Sequence, residues 1–212
     1  TDIKWTDISV VSQNRDERYN DLAKKWYTDR LSDDTLKMYK EAKGIKGSLD
    51  DLGTIKGGST PSKKEETNFS TSGMPWITPK DLSINSGKKF ITKGEIDASE
   101  KGVKDASLKT LPKGSVLLSS RAPIGYMVIA RQDLTTNQGF KSFVPNKGFS
   151  TEYIYYSIQG SMKIIEQYAS GSTFKEISGS VLKSITTILP PGNVRDEFVN
   201  KIFSCFHSSL NL

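Results

Sequence analysis

The chain has 212 residues, 35% of them hydrophobic and 25% charged, which suits one domain with accessory elements. A mean hydropathy of −0.47 and the lack of any apolar run near the ~18 residues of a bilayer crossing exclude a membrane-spanning helix. The formal charge is +6, and all of the excess lies at 51–150, where fifteen basic and nine acidic side chains sit between neutral flanks. Such a segregated cationic segment is a footprint for a polyanion, the plainer reading being a solvated lysine-rich surface. No charged leader precedes an apolar stretch, so a signal peptide is not expected. A single cysteine cannot form an internal disulfide, which fits a cytoplasmic protein.

In chain order, residues 1–47 read as a helical N-terminal arm. Tyr19, Leu22, Trp26 and Tyr27 fall near helical spacing, Ser32-Asp33-Asp34 breaks and caps, and Gly44 and Gly47 close a second short helix. From residue 48 the texture changes to short apolar runs between Gly, Pro, Ser and Thr, predicting strands at 74–78, 116–120, 126–130 and 140–144. Ser150 is placed to cap a helix running to about Tyr168, with Ile154, Ile158, Met162 and Ile165 on one face. A polar loop follows, then a short helix near 181–183 and a strand at 185–189 stopped by Pro190-Pro191. The last helix, 192–212, presents the stripe Phe198, Ile202, Phe206 and Leu210 for dimerisation or partner docking.

Catalytic chemistry is sparse. His207 and Cys205 are the sole residues of their types and stand about 200° apart on a helix, so they do not form a nucleophile–base pair locally. There is no metal-ligand spacing. The run GGSTPSKK lacks the spacing of a phosphate loop. SGSTFK fits Ser-x-x-Lys, which admits a hydrolase built on Ser172 and Lys175, but its companion motifs are missing.

Binding chemistry is richer. Gly57 and Gly58 allow close backbone approach, while Lys56, Lys63 and Lys64 offer charge to phosphates and Thr60 and Ser62 offer hydroxyls. Lys80, Lys88, Lys89, Lys93, Lys141 and Lys175 extend the basic supply. Arg121 suits bidentate contact with guanine, and Asn137 and Gln138 suit adenine. Each has a structural alternative: an ion pair beneath a turn for Arg121, a loop brace for the two amides. Trp76 reads as a core anchor ahead of a stacking platform.

Taken together, KGGSTPS, MPWITPKDLS, LPKGSVLLSSRAPIGYMVIA, TTNQGFKSF, ASGSTFKEISGSVLKSI and ILPP resemble, in order and spacing, a specificity subunit of type I restriction–modification systems. The resemblance implies an α+β, β-rich target recognition domain over 48–191, followed by the start of a conserved spacer helix. It implies a non-catalytic chain that binds one half of a bipartite duplex site. Partner subunits would supply the chemistry: an adenine methyltransferase using S-adenosylmethionine and flipping its base, and a restriction subunit using ATP and Mg. No cofactor is expected in this chain, and a second copy of itself is a further expected partner. In such families shared motifs are largely framework, so SSRAPIGY and TTNQGF are expected to be a hairpin and loop with backbone contacts to DNA. One copy of each motif is present where the family carries two, which fits a natural half-subunit or a fragment. The rival reading is an assembly protein without DNA reading.

Overall fold

The structure, a computed structural model, describes residues 46–121, 123–171 and 175–189, with 191–193, 195–196 and 200 beyond them. The chain packs as two compact units, one of them Gly47–Ser86 with Phe90–Thr187. That unit holds nearly all the described elements. Gly87–Lys89 group with the other.

In chain order the elements are β1 (Lys46–Ser48), α1 (Leu49–Leu52), β2 (Gly53–Gly57), β3 (Phe69–Ser70), β4 (Met74–Ile77), α2 (Pro79–Ile84), β5 (Phe90–Ile91), β6 (Asp97–Ala98) and α3 (Glu100–Asp105). Then come β7 (Val116–Ser120), β8 (Ile124–Ala130), β9 (Thr135–Thr136), β10 (Lys141–Pro145), α4 (Thr151–Gly160), α5 (Met162–Tyr168), α6 (Gly179–Ser184) and β11 (Thr186–Ile188). This is the expected α+β mixture. The N-terminal arm lies outside the described residues except for Lys46 and Gly47. These two belong to strand β1 rather than to a helix.

A five-stranded sheet, order β2-β10-β7-β8-β5, is the frame, and a four-stranded sheet, β3-β6-β4-β9, interleaved with it along the chain, packs on it through Ile77 of β4. The central pairs follow from apolar alternation. Val116 to Leu118 pair with Ile129 to Met127 in antiparallel register, and Phe143 pairs with Val116. Opposite residues of such pairs share a face. Leu117, Val128, Ala130 and Phe140 therefore form one apolar face, packed with Ile77, Leu82, Ile91, Leu111 and Leu134. The alternate set, Val116, Leu118, Ile129 and Phe143, is buried as well, and α4 and α5 pack against β8. A sheet buried on both faces needs near-continuous apolar strands, and VLL and YMVIA supply them.

Helix α2 begins as its sequence demands. Pro79 occupies the first position, where no N–H is required. Asp81 reaches back to the Thr78 N–H at 2.8 Å and the Thr78 hydroxyl at 2.6 Å, and its other oxygen accepts Glu95 N–H at 2.8 Å. The helix expected from Ser150 to Tyr168 is capped by Ser150, which accepts the Tyr153 N–H, but it breaks at Ser161. Gly160 weakens the helix there, and the Ser161 hydroxyl donates to Ser157 O at 2.9 Å, a back-bond that bends helices.

Candidate nucleic-acid interface

Five of the motifs, far apart in sequence, are stitched into one rim at an end of the five-stranded sheet. After β2 the chain passes Gly58, where an added Cβ would lie 2.1 Å from Asn137 O and 2.3 Å from Thr136 O. Ser59 N–H donates to Thr136 O at 3.0 Å, and Ser59 O accepts the Trp76 indole N–H at 3.0 Å. The Thr60 hydroxyl donates to Gln138 Oε1. Asn137 N–H donates to Ile77 O at 3.0 Å, while Asn137 Oδ1 accepts Gly139 N–H at 2.9 Å. Gly139 O then accepts Ser120 N–H at 2.8 Å, and Ser120 O accepts Ile177 N–H at 3.0 Å. KGGST, MPWITP, SSR, TTNQGFK and FKEIS thus meet through main-chain bonds, as a framework requires.

Arg121 leaves this rim at the end of β7, and the Cβ position of Gly139 is 3.7 Å from its Nε. Its guanidinium stands 3.6 Å from the Glu176 carboxylate, and Lys141 Nζ stands 3.6 Å from the other oxygen of the same group. The Glu176 backbone is pinned: it exchanges N–H···O bonds with Ser170 at 2.9 and 3.1 Å and bridges Arg121. Glu176 was missed at the sequence level. Its signal was available as the one acid of the loop ASGSTFKEISGS, next to Lys175.

The remaining candidates divide sharply. Lys56 is half-buried on edge strand β2, in register with Ser142 of β10. Ser62, Lys63, Lys64, Lys88 and Lys175 are exposed. Lys80 is committed to Glu95 at 2.6 Å, and that hydrogen bond holds its ammonium above the ordinary lysine range. Lys93 is committed to Asp97 at 2.8 Å and to Thr71 O at 2.8 Å, in an open groove lined also by Gly73 and Asp133. Lys89 is a correction. It is 2% exposed, and a buried ammonium does not reach a phosphate in solvent.

Asn137 and Gln138 act as loop braces here, their carbonyl oxygens engaged by Gly139 N–H and the Thr60 hydroxyl. Bidentate pairing with adenine would have to share those carbonyl oxygens with the brace. Trp76 is a core anchor, 3% exposed and tilted on Phe69 with ring centroids 5.8 Å apart. Phe198, Ile202, Phe206 and Leu210 lie outside the described residues, as does Ser172. Among the described residues no group of three His, Cys, Asp or Glu is placed to hold a metal ion, and no helix is long and apolar enough to cross a membrane.

An α+β domain with these five motifs gathered on one rim has the fold of a specificity subunit. The HsdS subunit from Thermoanaerobacter tengcongensis matches with a TM-score of 0.59 at 18% identity, covering 97% of this chain and 48% of that one. The S subunit from M. genitalium matches at 0.51 and 17%, covering 76% and 38%. At the level of sequence, the family model for the type I restriction modification DNA specificity domain matches residues 45–208, and the chain belongs to that family. It is 42% identical over 170 residues to the MjaIX specificity subunit of Methanocaldococcus jannaschii, covering 78% of this chain and 38% of the relative. The HindI specificity subunit of Haemophilus influenzae is 28% identical over 224 residues, covering 97% and 46%. The chain spans less than half the length of these curated relatives.

Proposed function

We propose that this chain is a non-catalytic DNA-recognition module that binds one half of a bipartite duplex site for a type I restriction–modification system. The observation that carries the reading is the rim itself. Motifs supplying Arg121 and Lys141 converge at one end of the five-stranded sheet, where the two cations are placed to serve phosphates, with Lys56 on the other face of the neighbouring β2. In this reading an adenine methyltransferase subunit brings S-adenosylmethionine and the base-flipping step, and a restriction subunit brings ATP and Mg. The setting is the cytoplasm and the role is defence against foreign DNA.

Exposed Lys63, Lys64 and Lys175 add sequence-independent affinity by displacing counterions. Binding of random-sequence duplex should weaken steeply as salt rises, with log K against log salt falling by about 0.9 for each phosphate neutralised. An electrophoretic shift indifferent to salt would rule out this mode of contact. A second reading, docking without DNA reading, draws on the tight Lys80–Glu95 and Lys93–Asp97 pairs, which withdraw two cations from any interface. Co-purification with a methyltransferase subunit but no target protection in footprinting would favour it.

A further inference from the structure

The ion pairs of this domain differ in how closely they engage. Lys80–Glu95 and Lys93–Asp97 close at 2.6 and 2.8 Å, the separation of charge-assisted hydrogen bonds. Arg121 and Lys141 share Glu176 at 3.6 Å each, beyond hydrogen-bond reach. Glu176 thus offsets their charge while leaving those N–H donors uncommitted to it. The shared carboxylate sits among the meeting points of KGGST, SSR, TTNQGFK and FKEIS, and its backbone is fixed by Ser170 and Arg121. Lys141 is only 17% exposed, so charge at this point acts through a medium less screening than bulk water.

We propose that Glu176 is an electrostatic stand-in for a DNA phosphate. In the free chain it holds Arg121 and Lys141 in place and masks one of their two charges. On binding, a backbone phosphodiester draws the two cations away from it. This inference rests on the DNA-recognition reading and adds a positioning residue to it. The geometry favours exchange over a permanent brace, because the trio keeps a net positive charge and gives up no hydrogen bond between these side chains when it opens. A second consequence follows from ion balance. As its partners leave, the freed carboxylate takes up a solution cation, partly cancelling the counterions released from DNA.

The test is fluorescence anisotropy of random-sequence duplex DNA against the full chain and Glu176→Gln across a salt series. The variant should bind several-fold tighter at low salt, with a salt slope steeper by up to about 0.9. Salt-dependent wild-type binding that equals or exceeds the affinity of Glu176→Gln at every salt would overturn the proposal and leave DNA recognition standing. Salt-independent wild-type binding, or none, would remove both. Should Glu176→Gln lose its fold by circular dichroism, Arg121→Gln carries the test. Its slope becomes shallower by about 0.9 if the guanidinium moves to phosphate, and an unchanged slope overturns the exchange.

Discussion

Gly58 is where the rim leaves no room for a side chain. Two carbonyl oxygens, of Asn137 and Thr136, occupy the position a Cβ would take. Gly58→Ala therefore has to spread KGGST from TTNQG, and overpacking of this kind costs about 1–3 kcal/mol. Urea denaturation should show that loss, and DNA affinity should fall in step with it. Wild-type stability in the variant would mean that the two loops separate freely, against the framework described above. The same scale explains what sequence alone conveyed of the site. Gly58, Arg121, Asn137 and Gln138 were recognisable as special because glycine, guanidinium and amides in short polar turns have few dull uses. Which of their two roles each played was not legible. For Arg121 and Gln138 the choice depends on Glu176 and Thr60, whose nearness arises only when separated strands come into register; for Asn137 it depends on Gly139, two residues on.

Among the elements, those with strong apolar runs were legible and those made of special pairs were not. Strand β7 matches its expected span, and β8 and β10 differ from theirs by a residue or two at the ends, because burial on both faces demands unbroken Val, Leu and Ile. Strand β2, GTIKG, went unseen since two glycines and a lysine hide an edge strand whose partner is β10, far along the chain. Helix α2 was missed for its brevity, yet Asp81 at its start is a clear local signal. Asp81→Ala should cost about 1–3 kcal/mol by stranding part-buried donors on Thr78 and Glu95, and thermal melts will show it. A loss below a few tenths of that range would place the stabilisation of α2 elsewhere. In α4, desolvation raises the Tyr155 phenol above its ordinary value. The folded state thus prefers the neutral phenol. Its stabilisation is present below the unfolded tyrosine pKa of about 10 and fades as pH climbs through the raised folded value. Tyr155→Phe should flatten the loss of stability in base titration, and an unaltered profile would assign that loss to other groups.

For the whole molecule, the basic excess of 51–150 does not form one uniform cationic face. Part of it is spent on tight pairs at Lys80 and Lys93 and on buried Lys89. Another part, Arg121 and Lys141, stays at the rim where the motifs meet. Net charge counts side chains without regard to partners, which is why composition nominated a polyanion and yet could not place it. The family fold supplies the frame, and the rim is the proposed contact with a duplex. Photo-crosslinking of bound duplex DNA to the full chain, with the attached peptides mapped by mass spectrometry, tests that most directly. Attachment is expected at 56–64, at 121 and at 137–141. Crosslinks confined to 93–105 or to the α4–α5 surface, with the rim untouched, would contradict it.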